Sequence, residues 1–509
     1  MDNIYTRFPP EPNGFLHIGH LKAMLYDFDH HPGAKCCLRF DDTNPDKESQ
    51  IFVDGITEDV KWMGFVPYKI TYTSDYFDKL YNYVVKLIQN DLAYVDFSID
   101  EEIKNGRRDG TESKYRNMDI NFHLTEFENM KNGLYDENMC VLRLKIDMNH
   151  SNHVMRDPIA YRIKKNPHYK TKSQWCIYPS YDYSHGLVDS LENITYSYCT
   201  FEFFIRRELY YWSINKLNEL GEKLPLAQVI EFGKLMVDNN ILSKRNITNL
   251  VNNKLVNGYD DPRLLTLRGL RRKGFTPSIL KEIASLGTLN KQDQTLSNDI
   301  INHYLRKELN DNAERVFGVI EPLLIEISNF EEYYPDKYYN CDHPTYPPNH
   351  VKKEIKHMTT LTKSVYIEKK DFRELDEKNY YRLAPGKTIR LRYGPFVEYV
   401  SHDKDKIICK IVEPPNPKKI KGIVHWVSAD SKYSNSVKYI LCHDILKDGK
   451  FNEDNQTMCS GYIEKYGYEL KDGVQLERVG YFKFLEVDKE GLNVFIRTIE
   501  LSGDKNMAL

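Results

Sequence analysis

The N-terminal part of the chain alternates between short apolar runs and amphipathic stripes. The segment 4–8 is a β-branched and aromatic run, which is typical of a strand. After a turn that contains proline and glycine, apolar residues recur three and four apart over 21–28, which predicts a helix beginning near His17. A second strand is predicted over 36–40, and helical patterns follow at 47–63 and 74–90. Because strand and helix alternate, we expect a parallel sheet covered by helices.

This alternation breaks down between about 93 and 178. Mixed strands at 140–146 and 160–163 stand there among charged loops, which predicts an insertion into the sheet domain. The sheet pattern then resumes, a helix is predicted from about 200 to 218, and a helical region extends to about 330.

A proline-rich break at 335–348 marks a further change of pattern. Beyond it, short runs separated by turn residues predict strands at 365–367, 389–392, 407–412, 423–427 and 481–484. We therefore expect an all-β C-terminal third, built as two barrels.

These patterns predict an α/β multidomain protein with a Rossmann-type parallel-sheet catalytic domain. The expected boundaries are 1–92 and 179–235 for the two halves of that domain, 93–178 for the insertion, 236–334 for a helical domain and 335–509 for the β-barrels.

Composition narrows the class of protein. Of 509 residues, 41% are hydrophobic and 28% charged, which describes a soluble globular chain, and no apolar run approaches the ~20 residues that span a bilayer. The nine cysteines are scattered without a Cys-x-x-Cys pair, so neither a disulfide framework nor a metal site is predicted. The N-terminus lacks a secretory pattern, and we expect a cytoplasmic protein without a membrane partner. With a net charge of −3, any nucleic-acid partner must be held by local basic patches.

The candidate chemistry begins in the first turn and helix. A helix N-terminus preceded by a glycine-containing turn can bind phosphate, and His17 and His20 share one face of that helix. Taken alone, the stretch has a second interpretation, in which Gly19 permits close packing and the histidines are surface groups. The chain contains no P-loop pattern, so a Walker-type nucleotide hydrolase is disfavoured.

Two further segments supply groups of matching chemistry. Asp41 follows the second strand, and Lys244 lies in a polar loop far along the chain. Two neutral donors and a lysine are what a phosphoryl transition state needs when a carboxylate attacks ATP. We therefore expect His17, His20 and Lys244 to form one catalytic site.

These segments resemble a known family. The first matches the HIGH motif, and 242–244 the KMSKS motif, of class I aminoacyl-tRNA synthetases, although Ile241 and Arg245 depart from the second pattern. The stretches 7–20, 38–45, 155–158 and 260–263 resemble the subgroup that contains the glutaminyl enzymes and the eukaryotic-type glutamyl enzymes. The resemblance covers nearly the whole chain. It implies that the insertion binds the acceptor stem of tRNA and that the barrels bind the anticodon.

The identity of the amino-acid substrate is indicated by the absence of an arginine from one position of its expected pocket. The stretch 175–185 resembles the glutaminyl branch, in which the residues matching Tyr181 and His185 line the amino-acid pocket. Cys199 stands where the glutamyl branch carries an arginine, which would pair with a glutamate carboxylate. A neutral cysteine cannot do so, and the form of 12–14 is also the glutaminyl one. We therefore expect glutamine to be the substrate.

The same resemblance implies the remaining site residues. Those expected to bind ATP are Pro10, Glu11, Asn13, Gly14, His17, Gly19, His20, Lys22, Leu235, Ser243 and Lys244. Those expected to bind glutamine are Arg7, Asp41, Tyr181, His185 and Cys199, with the Asp41 carboxylate facing the substrate ammonium. Those expected to bind the anticodon are Lys418, Lys419, Gln475 and Arg478.

The implied reaction is ATP-dependent activation of L-glutamine to glutaminyl-adenylate, followed by transfer to the 3′-terminal adenosine of tRNA(Gln). ATP would enter with Mg²⁺ as its substrate complex, no tightly bound cofactor is expected, and the family suggests a monomer. Because the chain starts shortly before its first strand, we expect the extra N-terminal RNA-binding region of many eukaryotic relatives to be absent. The alternatives are an enzyme that charges glutamate or both amino acids, an inactive paralogue that binds tRNA, and a small-molecule nucleotidyltransferase.

Overall fold

The structure is a computed structural model, and it describes residues 3–238, 240–241, 243–287 and 290–501. The chain divides into two compact units. The first comprises Met1–Met236, Leu242–Thr248 and Leu280–Leu296, and the second Val237–Ile241, Asn249–Ile279 and Ser297–Leu509.

The first unit begins with alternating strands and helices. In chain order they are β1 (Tyr5–Phe8), α1 (Leu21–Asp29), β2 (Lys35–Phe40), α2 (Gln50–Trp62), β3 (Lys69–Tyr72) and α3 (Phe77–Gln89). Strands β1, β2 and β3 form a parallel sheet, which confirms the predicted alternation. The helix expected from His17 begins one turn later, because a 3-10 turn over Ile18–His20 precedes α1.

The next segment forms a separate antiparallel sheet. Its elements are β4 (Ala93–Asp96), α4 (Asp100–Asp109), α5 (Ile120–Lys131), β5 (Val141–Leu144), β6 (Ile159–Ile163) and β7 (Ile177–Pro179). The four strands pair in chain order. The ion pair between Arg143 and Asp96, 2.7 Å long and buried, joins neighbouring strands β5 and β4.

The chain then returns to the parallel arrangement. The elements are α6 (Tyr181–Leu191), β8 (Tyr196–Thr200), α7 (Arg207–Glu219), β9 (Gln228–Phe232) and β10 (Leu235–Val237). Strands β8 and β9 are parallel, and Thr195 donates its backbone N–H to the Tyr5 carbonyl at 2.8 Å, which places β8 beside β1. The predicted helix from about 200 starts as a 3-10 turn over Phe201–Arg206 before α7.

Residues 244–312 are mainly helical. The elements are α8 (Lys244–Asn252), α9 (Leu267–Lys273), α10 (Pro277–Ser285), β11 (Gln294–Leu296) and α11 (Asn298–Asn312).

The prediction of helical structure to about 330 is wrong beyond α11. Strands β12 (Glu314–Val316), β13 (Gly318–Ile320) and β14 (Pro322–Ile327) follow instead. Strand β14 pairs with segments near 366 and 408, and both Ile325 and Ile327 are buried. This pairing with distant strands outweighs local helical preference.

As expected, the rest of the second unit is all-β over the described residues up to 501, apart from two short α-helices and two 3-10 turns. Its elements are α12 (Phe330–Tyr333), β15 (Tyr338–Pro344), β16 (Lys356–Thr362), β17 (Ser364–Glu368), β18 (Thr388–Leu391), β19 (Phe396–His402), β20 (Lys406–Val412), β21 (Ile423–Val424), β22 (Val427–Ser428), β23 (Ser434–Cys442), β24 (Leu446–Lys447), β25 (Lys450–Phe451), β26 (Gln456–Glu464), α13 (Lys465–Glu469), β27 (Gly473–Leu476), β28 (Gly480–Val487) and β29 (Asn493–Glu500).

Two seven-stranded sheets dominate this unit. One has the order β12-β27-β28-β29-β23-β26-β13 and the other β21-β18-β19-β20-β14-β17-β22. The strand expected over 423–427 is divided, because His425 and Trp426 turn inward and are buried between β21 and β22. Among the described residues, no helix is both long enough and apolar enough to cross a membrane.

Candidate functional site

Two histidines stand together at the start of the first helix. His17 caps the 3-10 turn, its Nδ1 accepting the Gly19 N–H at 3.1 Å, while His20 Nδ1 accepts the His17 backbone N–H at 3.1 Å. The two rings are 4.0 Å apart between centroids. Because His17 Nδ1 accepts, the remaining proton of that neutral ring is on Nε2, which leaves one donor for a ligand. His20 Nδ1 also lies 3.3 Å from the His17 carbonyl, so the tautomer of His20 is set by which of the two backbone groups it pairs with.

Lys244 completes this group from the first residue of α8. Its Nζ donates to the Asn13 side-chain oxygen, with the Glu11 carbonyl 3.4 Å away. Burial, and then the charge of Lys244, lowers the pKa of His17 to about 4. Burial also lowers the pKa of the Lys244 ammonium. At neutral pH the site therefore combines neutral His17 with one cation.

Two glycines let these side chains approach. A Cβ at Gly14 would lie 3.1 Å from Lys244 Cδ, so the lysine lies directly against the turn. A Cβ at Gly19 would lie 2.9 Å from His17 Cε1 and 3.3 Å from the Leu235 carbonyl. The structure thus brings Gly14 to Lys244, and Gly19 to His17 and Leu235.

Other residues expected at the ATP site have structural partners. Pro10 accepts the Asp41 N–H through its carbonyl at 3.2 Å, and exposed Glu11 accepts the side-chain amide of Asn13. Ser243 caps α8 by accepting the Asn246 N–H at 3.2 Å. Leu242, which precedes it in the predicted motif, lies outside the described residues.

Lys22 is placed differently from the prediction. Its side chain is buried, and Nζ donates to the Gly233 carbonyl at 2.8 Å and lies 5.6 Å from the centroid of the Phe232 ring. The structure therefore does not bring Lys22 to the histidine pair. Its place on α1, one turn beyond His17, turns it towards the end of β9 instead.

Asp41 lies in the loop after β2, as predicted. The carboxylate is 3% exposed and accepts the Thr73 hydroxyl at 3.3 Å. Burial raises the pKa of Asp41 to about 6, although Arg39 opposes the shift. Burial and the nearby Asp41 charge also raise the pKa of the Tyr181 hydroxyl well above its ordinary value.

A small pocket gathers the residues expected to hold the amino acid. Tyr181, His185 and Cys199 all line it, together with Phe203 and Val229. The Tyr181 and His185 rings stack with their centroids 4.6 Å apart, one turn from each other on α6. Burial raises the pKa of the Cys199 thiol to about 12, so the thiol stays neutral at physiological pH.

Arg7, expected to orient the amino acid, is wholly buried behind this pocket. Its guanidinium donates to Asp189 at 3.0 Å, to the Tyr198 carbonyl at 3.0 Å and to the Ser197 hydroxyl. A further N–H lies 2.8 Å from His185 Nε2. Because guanidinium only donates, His185 Nε2 must accept, which holds that ring neutral with its proton on Nδ1. Arg7 therefore shapes the pocket through His185 and does not line it.

The centre of this network is Asp189, which the sequence analysis missed. It accepts from Arg7, Arg39 and the Tyr210 hydroxyl while being completely buried. Burial alone would raise the pKa of Asp189, but the two arginines hold it far below its ordinary value. Its position four residues after His185, on the same face of α6, is the signal that could have found it.

The residues expected at the anticodon lie in the second unit. Gln475 on β27 is 8% exposed and accepts from Arg315 Nε at 3.1 Å. Arg478 has φ +68° and donates to both oxygens of buried Asp371, at 2.9 and 3.1 Å. Lys418 and Lys419 occupy an exposed 3-10 turn. The first two are thus already oriented by protein partners, whereas the lysines are open to solvent.

Comparison with known proteins identifies the family to which this fold belongs. Residues 3–311 match the family model for tRNA synthetases class I (E and Q), catalytic domain. Residues 313–413 match the model for the anti-codon binding domain of the same synthetases. The second match begins where the structure changes from helix to strand. The fold is therefore that of a class I tRNA synthetase.

Comparison with individual proteins gives the same class of synthetase. The chain is 40% identical over 527 residues to a cytoplasmic glutamine–tRNA ligase of Arabidopsis thaliana, covering 98% of this chain and 65% of the relative. It is 41% identical over 525 residues to a probable glutamine–tRNA ligase of Dictyostelium discoideum, covering 99% and 66%. A glutamine–tRNA ligase of Vibrio parahaemolyticus is 38% identical over 532 residues, covering 98% and 94%. The chain belongs to the glutamate and glutamine (E and Q) family of class I tRNA synthetases. It spans 65% and 66% of the length of the plant and Dictyostelium relatives.

Proposed function

We propose that this chain activates L-glutamine with ATP and transfers it to the 3′-terminal adenosine of tRNA(Gln). The observation that carries this proposal is the joining of two distant motifs. His17, His20 and Lys244 form one group, and Tyr181 and neutral Cys199 line one pocket in the same compact unit. The names of the relatives support the same substrate.

In the first step, the glutamine α-carboxylate attacks the α-phosphorus of ATP, and pyrophosphate leaves. Charge then accumulates on phosphate oxygens, where fixed donors stabilise it more in the transition state than in the ground state. The donors that this site offers are the His17 Nε2–H, the Lys244 ammonium and, in the tautomer whose Nδ1 accepts, the His20 Nε2–H. In the second step, the ribose 2′-hydroxyl of tRNA attacks the adenylate carbonyl, and AMP leaves.

Binding of the amino acid would use Asp41 for its ammonium and Tyr181 for its side chain. A buried carboxylate and a cation attract each other strongly because little water screens them. ATP enters as its Mg²⁺ complex, which is substrate and not part of the resting protein. Anticodon bases would be contacted by Gln475, Arg478, Lys418 and Lys419, and acceptor-stem contacts would come from 93–178.

Aminoacylation decides the substrate. We expect labelled glutamine, in the presence of tRNA and ATP, to be transferred at least about tenfold faster than glutamate, because the pocket offers a carboxylate no ready cation. The family also implies that pyrophosphate exchange requires cognate tRNA. Faster transfer of glutamate would identify the glutamyl alternative, and exchange at full rate without tRNA would contradict the ordered mechanism.

The pH dependence of glutamine use tests Asp41. Because the pKa of Asp41 is raised to about 6, its carboxylate is charged above that pH and becomes protonated below it. We expect kcat/KM for glutamine to fall roughly tenfold for each pH unit below about 6, since this ratio reports groups of the free enzyme. In the Asp41→Asn variant, this decrease of kcat/KM at low pH should be absent. A wild-type profile that stays flat from pH 7 to 5 would show that Asp41 does not bind the ammonium.

A further inference from the structure

A carboxylate lies directly beside Cys199 in the sheet. In the parallel pairing of β8 and β9, Cys199 is the register partner of Glu231. The Glu231 side chain is 1% exposed. Burial is the main cause that raises the pKa of the Cys199 thiol, and the Glu231 charge raises it further. A buried carboxylate therefore stands next to the neutral thiol that lines the pocket.

This anion has a partner from the neighbouring helix. Arg207, at the start of α7, also lines the pocket, and it donates from both Nε and a terminal nitrogen to the two oxygens of Glu231. Bidentate guanidinium–carboxylate pairs of this kind are strong and hold a fixed geometry. Arg207 therefore places a positive charge close to Cys199, but the Glu231 carboxylate already balances that charge.

The second arginine of the pocket also has a carboxylate partner, through a single bond. Arg206 donates to the Asp182 carboxylate, and both residues line the cavity. Among the described residues of the pocket wall, each arginine thus has its own carboxylate. The expectation that Cys199 alone excludes a cation is incomplete, because cations are present and their charge is cancelled.

We propose that Glu231 is a specificity determinant of this pocket, which keeps Arg207 from accepting a substrate carboxylate. A glutamate side chain entering beside Cys199 would lose its hydration, meet an arginine that is already paired and face the Glu231 charge. The neutral amide of glutamine needs no counter-ion and meets none of these penalties. This inference rests on the proposed function and adds the residue that enforces the choice of amino acid.

The central test is Glu231→Gln, which keeps the size of the side chain and removes its charge. We expect the ratio of glutamate to glutamine use, measured as kcat/KM in aminoacylation, to rise at least about tenfold, since Arg207 becomes free for a charge-assisted bond. The rise should come mainly from a lower KM for glutamate. Glu219→Gln, which breaks the exposed pair with Lys216 on α7, is the matched control and should leave the ratio unchanged.

A double variant tests whether the freed Arg207 guanidinium, and not another effect of Glu231→Gln, causes the rise in the ratio. In Glu231→Gln/Arg207→Gln, the freed arginine is gone, and the ratio should return to the wild-type value. An unchanged ratio in Glu231→Gln, with glutamine use retained, would overturn the proposal, as would a raised ratio that persists in the double variant.

Cys199→Arg supplies an independent route that does not depend on Glu231→Gln folding. An arginine at 199 adds one positive charge beside Glu231, so that one of the two arginines is left for substrate, and the ratio should again rise. No rise in a folded Cys199→Arg protein would overturn the proposal. Failure of the proposed function is distinguishable from all of these results, because the wild-type protein would then transfer no glutamine.

Discussion

Replacing Lys244 with alanine is expected to reduce glutamine-dependent pyrophosphate exchange by about 10²- to 10³-fold, the loss usual for one donor to a developing charge. The ammonium is held beside the turn by Asn13, and the aliphatic carbons of Lys244 lie against Gly14, so in the proposed mechanism the cation is in place before ATP binds. A donor that is already oriented reorganises little during the reaction, and its removal is felt mainly in kcat.

The matched control for this change is Arg245→Ala. Arg245 is the next residue of α8, carries the same charge and is exposed to solvent. We expect it to retain exchange within a few-fold of wild type, because a solvated charge contributes little. Equal losses in the two variants would show that helix α8, and not the Lys244 ammonium, carries the effect. An active Lys244→Ala protein would remove Lys244 from the proposed mechanism.

The largest expected effect on stability is that of Asp189→Asn, which should lower the free energy of unfolding by about 3–5 kcal/mol, as for other broken buried ion pairs. Asp189 is the shared acceptor for Arg7 and Arg39, and all three side chains are at most 1% exposed. An amide removes the shared counter-charge of two buried guanidinium groups, and Glu192 remains as an ion-pair partner 3.2 Å from Arg39. Urea denaturation of the two proteins measures the difference.

Asp182→Asn, on the same helix, is the control for stability. Its partner Arg206 is 39% exposed, so its loss should change stability by no more than about 1 kcal/mol. The stabilisation due to Asp189 also depends on pH. Because the folded pKa is lowered, this contribution is complete above about pH 4, the ordinary value for aspartate, and decreases as the pH falls further. A stability difference between wild type and Asp189→Asn that is the same at pH 7 and pH 3 would contradict this role.

Much of the fold followed from local pattern. The alternation of strand and helix predicts the parallel sheet of β1 to β3, and the runs beyond 335 predict the strands of the second unit. The segment 314–327 was assigned to a helical region because periodicity cannot separate a short buried strand from a buried helix. Its strands are decided by partners such as β17 and β20, which lie far along the chain.

The candidate site, like the fold, has features that the sequence predicts and others that it does not. The prediction that His17, His20, Lys244 and Cys199 belong to one site follows from motifs that chemistry and resemblance explain. The orientation of Lys22 towards the Gly233 carbonyl does not, because that contact spans 211 residues of sequence. Long side chains take whichever partner the folded neighbourhood offers, and the spacing of residues on one helix does not specify that choice.

The sequence by itself determined which groups are available for the proposed reaction and that a neutral cysteine stands at position 199. Only the tertiary structure decided the charge that surrounds it. The pairs Arg207–Glu231 and Arg7–Asp189 join residues 24 and 182 positions apart, and neither is implied by a local pattern. Electrostatic character is a property of neighbours in space, since the interaction depends on distance and burial and not on order along the chain.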